Sequence, residues 1–209
     1  MQGPCATAHA DDLSEHQACQ FSYTESPTTV FGGAFSPQGV SVQDKINPVA
    51  RIADLPLETF SRGEAYRSAD AQIAGRIGLT QLGATYCEVP SGKSGCPCHV
   101  HHVEDELFII LEGEGTYRFG SESYPVMAGD VLGAPRGGVE YAHKLTNTGD
   151  APLKYLSIST MSDVEVCEYP DSGKFMVSST VAAPAAGKLR FIGREDTSLD
   201  YWDGENRAE

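Results

Sequence analysis

The chain has 209 residues and a net charge of −14, from 29 acidic against 15 basic side chains. Such a field repels phosphate backbones and anionic lipid headgroups, which argues against nucleic acid and membrane surfaces as partners. A hydrophobic content of 40%, with 22 glycines and 12 prolines, fits one turn-rich globular domain rather than a disordered or membrane-spanning chain.

Residues 1–45 are polar and weakly periodic, and prolines and Gly32-Gly33 interrupt the β-type residues of FSYTESPTTVFGGAF. The segment reads either as an arm, partly ordered and packed on the following domain or on a neighbouring subunit, or as a loose terminus. It has neither a basic n-region nor an apolar h-region, so no secretory signal is expected and the cytoplasm is the expected location. The six cysteines (Cys5, Cys19, Cys87, Cys96, Cys98, Cys167) are irregularly spaced and read as reduced thiols.

Beyond the turn at Asn47-Pro48, ARIADLPLETFSRGEAYRS reads as a strand, a turn and a helical turn from Leu57. From Gln81 the pattern alternates, with Leu82, Ala84, Tyr86 and Glu88 on one face of a strand. The loop Ser91–Gly95 is glycine-rich but lacks P-loop spacing. ELFIIL, TYRFG, ESYPVM, DVLGAP, EYAHKLTN, PLKYLSIST and EVCEYP then recur as short strands between turns, with Glu112–Gly115 expected as a hairpin turn. After Pro170 the pattern loosens, and the tail carries the only tryptophan, Trp202, expected to anchor it. Many short strands between turns predict an all-β sandwich or barrel. The expected organisation is an arm over 1–45, a barrel over 46–180 and a tail over 181–209 packing on it.

The densest group of ligand-type residues is CPCHVHHVEDELFIILEGEG, Cys96–Gly115. On a strand His99 and His101 share a face, their Cα atoms about 6.5–7 Å apart. If the run from Glu106 pairs antiparallel with the histidine strand, Glu106 turns back toward both imidazoles. Two neutral imidazoles and a carboxylate suit a divalent first-row transition metal. His102 points to the other face, and Glu104 and Asp105 read as solvated turn acids, either of which could replace Glu106. Cys96 and Cys98 raise the alternative of a closed thiolate zinc site, but the loop would have to double back over the strand that presents the imidazoles. Cys98 faces opposite to His99 and reads as a small buried hydrophobe.

These residues resemble the cupins. His99-x-His101, four residues, Glu106, six residues and Gly113 match the first cupin motif. Gly129, five residues, Pro135-x-Gly137, and then His143, three residues, Asn147, match the second, with a longer Gly137-to-His143 spacing than is common in the family. That longer turn, with YPDSGK (Tyr169–Lys174) and DYWDGE (Asp200–Glu205), is similar to one subfamily of bacterial single-domain cupins of the cupin-2 type. The resemblance implies an all-β double-stranded β-helix, the jelly-roll barrel, with few short helical turns. It also implies His99, His101, Glu106 and His143 as ligands of one divalent transition metal per chain, with Fe, Mn, Ni, Zn, Cu and Co all open.

Parity adds further candidates. Tyr141, on the strand face of His143, and Tyr86, on a facing inward strand, are candidate acid/base groups. Phe108 and Ile110 share parity with Glu106 and would wall a substrate pocket. Arg118 is a candidate carboxylate clamp, whereas Arg136 reads as an ordinary solvated charge. The expected function is that of a metalloenzyme whose ion acts as Lewis acid on an oxygenated metabolite, a sugar or a hydroxy or keto acid, in isomerase or lyase chemistry. A cupin dioxygenase with a redox metal such as Fe(II), and a non-catalytic ligand-binding or sensor cupin, are the alternatives. The expected partners are a small-molecule substrate and a second copy in a two-fold homodimer, with no nucleic acid and no membrane.

Overall fold

A computed structural model describes residues 46–181 and 189–205; the arm expected over 1–45 lies outside the described residues. The strands, in chain order, are β1 (Glu58–Arg62), β2 (Tyr66–Gln72), β3 (Leu82–Val89), β4 (Val100–His101), β5 (Glu106–Glu112), β6 (Glu114–Phe119) and β7 (Glu122–Met127). They continue as β8 (Val131–Ala134), β9 (His143–Thr146), β10 (Leu153–Thr160), β11 (Val164–Tyr169), β12 (Lys174–Ser179) and β13 (Leu189–Gly193). Helical structure among the described residues is confined to 3-10 turns of three or four residues.

One sheet has the order β1-β2-β3-β10-β5-β8, and two smaller ones run β13-β12-β11-β4 and β7-β6-β9. The smaller sheets are stitched together at the site. His99 N–H donates to the His143 carbonyl at 3.1 Å and His143 N–H to the His99 carbonyl at 2.8 Å. The apolar core lies between the two layers, with Phe108, Ile110 and Tyr155 from the first meeting Tyr117, Val126 and Leu145 from the second. Burying such side chains stabilises by about 1.5–3 kcal/mol each.

Two motif residues are structural. Gly113 has a φ of +84°, and a Cβ there would sit 2.6 Å from the Pro152 carbonyl oxygen, so only glycine fits. Asn147 is fully buried, donates its amide to the Val89 and Ala151 carbonyls at 2.8 Å each and accepts Gly149 N–H at 3.0 Å. It ties the end of β3 to the turn before β10.

Several local expectations are corrected. The histidine strand β4 pairs with β11 rather than with β5, so Glu106 reaches the histidines across the barrel interior and not along a hairpin. Glu112–Gly115 is a crossover between sheets, because β5 pairs with β10 and β8 while β6 pairs with β7 and β9. The segment after Leu57 is strand β1, and the loose region after Pro170 contains β12 and β13. β13 joins the tail to the sheet through β12, but Trp202 stays 61% exposed and packs edge-on against Tyr201 rather than anchoring the tail.

Candidate metal centre

His99 immediately precedes the short strand β4, which carries His101, while Glu106 opens β5 and His143 opens β9. All four side chains are buried. Their donors converge on one carboxylate oxygen: Glu106 Oε2 lies 3.1 Å from His143 Nε2, 3.3 Å from His101 Nε2 and 3.7 Å from His99 Nε2. Two ligands that share an ion at about 2.0–2.2 Å stand about 3.0–3.5 Å apart at octahedral to tetrahedral angles. His143 and His101 stand on that spacing from the Glu106 oxygen and His99 slightly beyond it. The donors of His99, Glu106 and His143 all lie within 4.8 Å of one another, whereas His101 groups at that distance with Glu165 and Cys167. His101 Nε2 adds a second observation, being a buried nitrogen with no hydrogen-bond partner among the described residues.

The other ring nitrogens explain why the Nε2 atoms face inward. His99 Nδ1 lies 2.9 Å from the Pro97 carbonyl and His143 Nδ1 3.3 Å from the Tyr141 carbonyl. An Nδ1–H that donates to a carbonyl leaves the lone pair on Nε2. His101 Nδ1 faces Cys167 Sγ at 3.3 Å and Glu165 Oε2 at 3.6 Å, so this ring looks toward two groups of ligand type. Glu165 already accepts the backbone N–H groups of His102, Val103, Glu104 and Val166, so its oxygens are occupied as a support for His101.

The electrostatics follow from this packing. Burial pushes the Glu106 carboxyl up, but the three imidazoles outweigh it and hold the group well below its ordinary range. Burial pulls His99 and His101 down, and their acidic surroundings outweigh it, so both lie well above the ordinary imidazole value. For His99 those neighbours are Cys96 and Glu106; for His101 they are Glu106, Cys167 and Glu165.

The structure places the remaining candidates unevenly. Phe108 is buried with its ring 5.6 Å from that of His143, whereas Ile110 sits deeper in the apolar core. Tyr86 is a correction: β3 turns Cys87 and Val89 into the core, and Tyr86 lies on the opposite face with its hydroxyl on Glu88 at 2.8 Å. Tyr141 is another. It lies in a 3-10 turn rather than on a strand, 36% exposed, and meets His143 through its carbonyl. Arg118 alternates with the core residue Tyr117 and binds both carboxylate oxygens of Asp171 at 2.9 Å, away from the histidines.

His102 is exposed and meets Glu168 at 3.4 Å, as its parity requires. Glu104 is buried rather than solvated and accepts Ser162 N–H at 2.6 Å. Cys98 packs with Val100 and Ala142 away from the imidazoles, which breaks up the thiolate zinc alternative.

Sequence reasoning missed the inward row of β11. Glu165 and Cys167 are buried beside His101, and the Tyr169 ring stacks on His99 at 6.0 Å and 28°. Their alternation in EVCEYP was visible, but the pairing of β11 with β4 was not.

Residues 85–159 match the family model of the cupin domain. The chain is 34% identical over 71 residues to the oxalate-binding protein of Thermotoga maritima, covering 34% of this chain and 55% of that one. It is also 34% identical over 74 residues to an uncharacterized protein of Methanocaldococcus jannaschii, covering 34% and 57%. The chain thus spans a little over half the length of these curated relatives. A solved structure of a cupin-superfamily sugar phosphate isomerase from Silicibacter pomeroyi superposes with a TM-score of 0.62 at 21% identity, covering 75% of this chain and 98% of that one. No helix among the described residues is long and apolar enough to cross a membrane. The chain is therefore an all-β double-stranded β-helix that is similar to the cupin domain over residues 85–159.

Proposed function

We propose that the chain is a metal-dependent enzyme in which His99, His101, Glu106 and His143 hold one divalent transition metal. The convergence of three Nε2 atoms on Glu106 Oε2 within 3.7 Å carries this reading. When bound, the ion supplies Lewis acidity toward the oxygens of a small metabolite, a sugar or a hydroxy or keto acid, for isomerase or lyase chemistry. The names of similar proteins, an oxalate-binding protein and a sugar phosphate isomerase, support that substrate class.

Around the ion the chain has its own tasks. Pro97, Tyr141 and Glu165 fix the rings through Nδ1. Phe108 and Tyr117 shield the inner side of His143 from water, and the Tyr117 hydroxyl is spent on the Gly133 carbonyl at 2.8 Å. Tyr169 replaces Tyr86 and Tyr141 as the candidate tyrosine, since its ring stacks on His99 at 6.0 Å. Burial raises its pKa, which suits a neutral hydrogen-bond donor better than a proton-transferring acid. A two-fold dimer is part of the same proposal. β13 is an edge strand with Leu189, Phe191 and Ile192 each about half exposed, a surface that a second copy would cover.

The test is metal content by elemental mass spectrometry on protein purified without chelator. Near-stoichiometric Fe, Mn, Ni, Zn, Cu or Co is expected in the wild type, and loss of it in His101→Ala and His143→Ala. A wild type that stays empty after reconstitution with each ion overturns the proposal.

A further inference from the structure

Among the described residues, two buried side-chain polar atoms lack a hydrogen-bond partner, and both belong to the neighbourhood of Glu106. One is His101 Nε2, 3.3 Å from the Glu106 carboxylate. The other is Ser159 Oγ, in a residue only 2% exposed. Ser159 is the direct cross-strand partner of Glu106 on β10, so the two side chains share the inner face of the sheet. A buried hydroxyl with no partner costs about 1–3 kcal/mol. A ligand oxygen would remove that cost.

The residues at the same level are small. At the level of Glu106 the inner face reads Ala134 on β8, Glu106 on β5, Ser159 on β10 and Gly83 on β3. Small or absent side chains therefore flank the carboxylate. One layer deeper, Phe108 is followed by Ser157, Thr85 and Gln72, and Thr85 Oγ1 donates to Gln72 Oε1 at 3.3 Å. These groups are neutral and both donate and accept, which matches hydroxyl and carbonyl oxygens rather than ionised phosphates.

We propose that Ser159 heads a neutral hydrogen-bonding subsite on the inner wall, which takes the hydroxyl or carbonyl oxygen of a small α-hydroxy acid or hydroxy-ketone seated beside Glu106. This rests on reading the site as one for a small oxygenated ligand and narrows that class. Ser159 acts on the oxygen of the carbon next to the carboxylate or carbonyl, while the histidine side of the pocket addresses the other end.

The experiment compares glycolate with acetate, which differ by one hydroxyl, by calorimetric titration with and without added Mn(II), with inorganic phosphate as control. Wild type is expected to bind glycolate about 5–10-fold more tightly than acetate, the worth of one neutral hydrogen bond. Ser159→Ala is expected to abolish that preference while leaving acetate binding within 2-fold. Ser159→Thr, which keeps a hydroxyl, is expected to retain it, and thermal unfolding of all three proteins separates loss of the subsite from loss of the fold.

An unchanged glycolate preference in Ser159→Ala, no preference in the wild type, or tighter binding of phosphate than of glycolate overturns the inference. Metal content is read on the same samples. Its absence overturns the metal reading alone, since the titrations without Mn(II) still score the subsite.

Discussion

Replacing Glu165 tests whether the site is held by a carboxylate that faces none of the three Nε2 atoms. Glu165 is 5% exposed. Its Oε1 accepts N–H groups from Val166 at 2.6 Å and from His102 and Val103 at 3.2 Å each, and its Oε2 accepts from Glu104 at 2.8 Å. Three backbone N–H groups of the turn between β4 and β5 therefore meet one side chain of β11, beside the bonds of His102 N–H to the Val166 carbonyl and of Asp105 N–H to Thr160, and that turn sets the distance from His101 to Glu106. In Glu165→Ala the Glu104 N–H loses a charged acceptor in a fully buried position, costing about 1.5–3 kcal/mol. The other three N–H groups are nearer water and cost less, for a total of about 3–5 kcal/mol.

At about 2–4 °C per kcal/mol for a chain of this size, the melting temperature should fall by about 6–20 °C. Glu165→Gln keeps one carbonyl acceptor and should lose about half as much. Because His101 Nδ1 also loses the carboxylate at 3.6 Å and keeps only Cys167 Sγ at 3.3 Å, metal affinity should fall about 10–100-fold in both variants. Circular dichroism melts with parallel metal titrations read both effects. A Glu165→Ala protein that melts within about 1 °C of wild type and binds metal equally well would refute the reasoning.

Metal-free protein should show an unusual pH profile. Glu106 is held below its ordinary 4.5, so its contribution is complete above that value and lost as pH falls through the depressed folded value. His99 and His101 are held above their ordinary 6.5, so theirs is complete below 6.5 and lost as pH rises through the raised folded values. Chelated protein should therefore melt highest between these limits. Added metal, which needs neutral imidazoles, should protect increasingly as pH rises; parallel melts with chelator and with Mn(II) check both trends. Gly113→Ala should destabilise by about 2 kcal/mol or more in urea melts, because the left-handed backbone and the Pro152 carbonyl both oppose a Cβ. Arg118→Ala should leave glycolate binding unchanged and shift stability by no more than about 1 kcal/mol, since its partner Asp171 is a half-exposed surface carboxylate.

The strand pattern was legible because a strand with one buried face repeats every two residues, and the β5, β6 and β10 segments announce themselves in that way. The four candidate ligands were legible by another route, the resemblance to the two cupin motifs. Imidazoles two apart and a glycine that must take a positive φ are local requirements that leave local marks, whereas Glu106 and His143 join the histidines from other strands. The sequence by itself thus determined the all-β class, the shared face of His99 and His101, and the outward placement of His102.

Tertiary structure decided which strands are neighbours. Pairing of β4 with β11 brought Glu165, Cys167 and Tyr169 to the histidines, and pairing of β10 with β5 set Ser159 opposite Glu106. The phase of β3 turned Tyr86 outward, and a 3-10 turn removed Tyr141 from the strand face it was expected to share with His143. Alternation says which residues share a face but not which face is inside or which strand lies beside it. Those choices follow from packing two sheets around one core, a property of the whole chain.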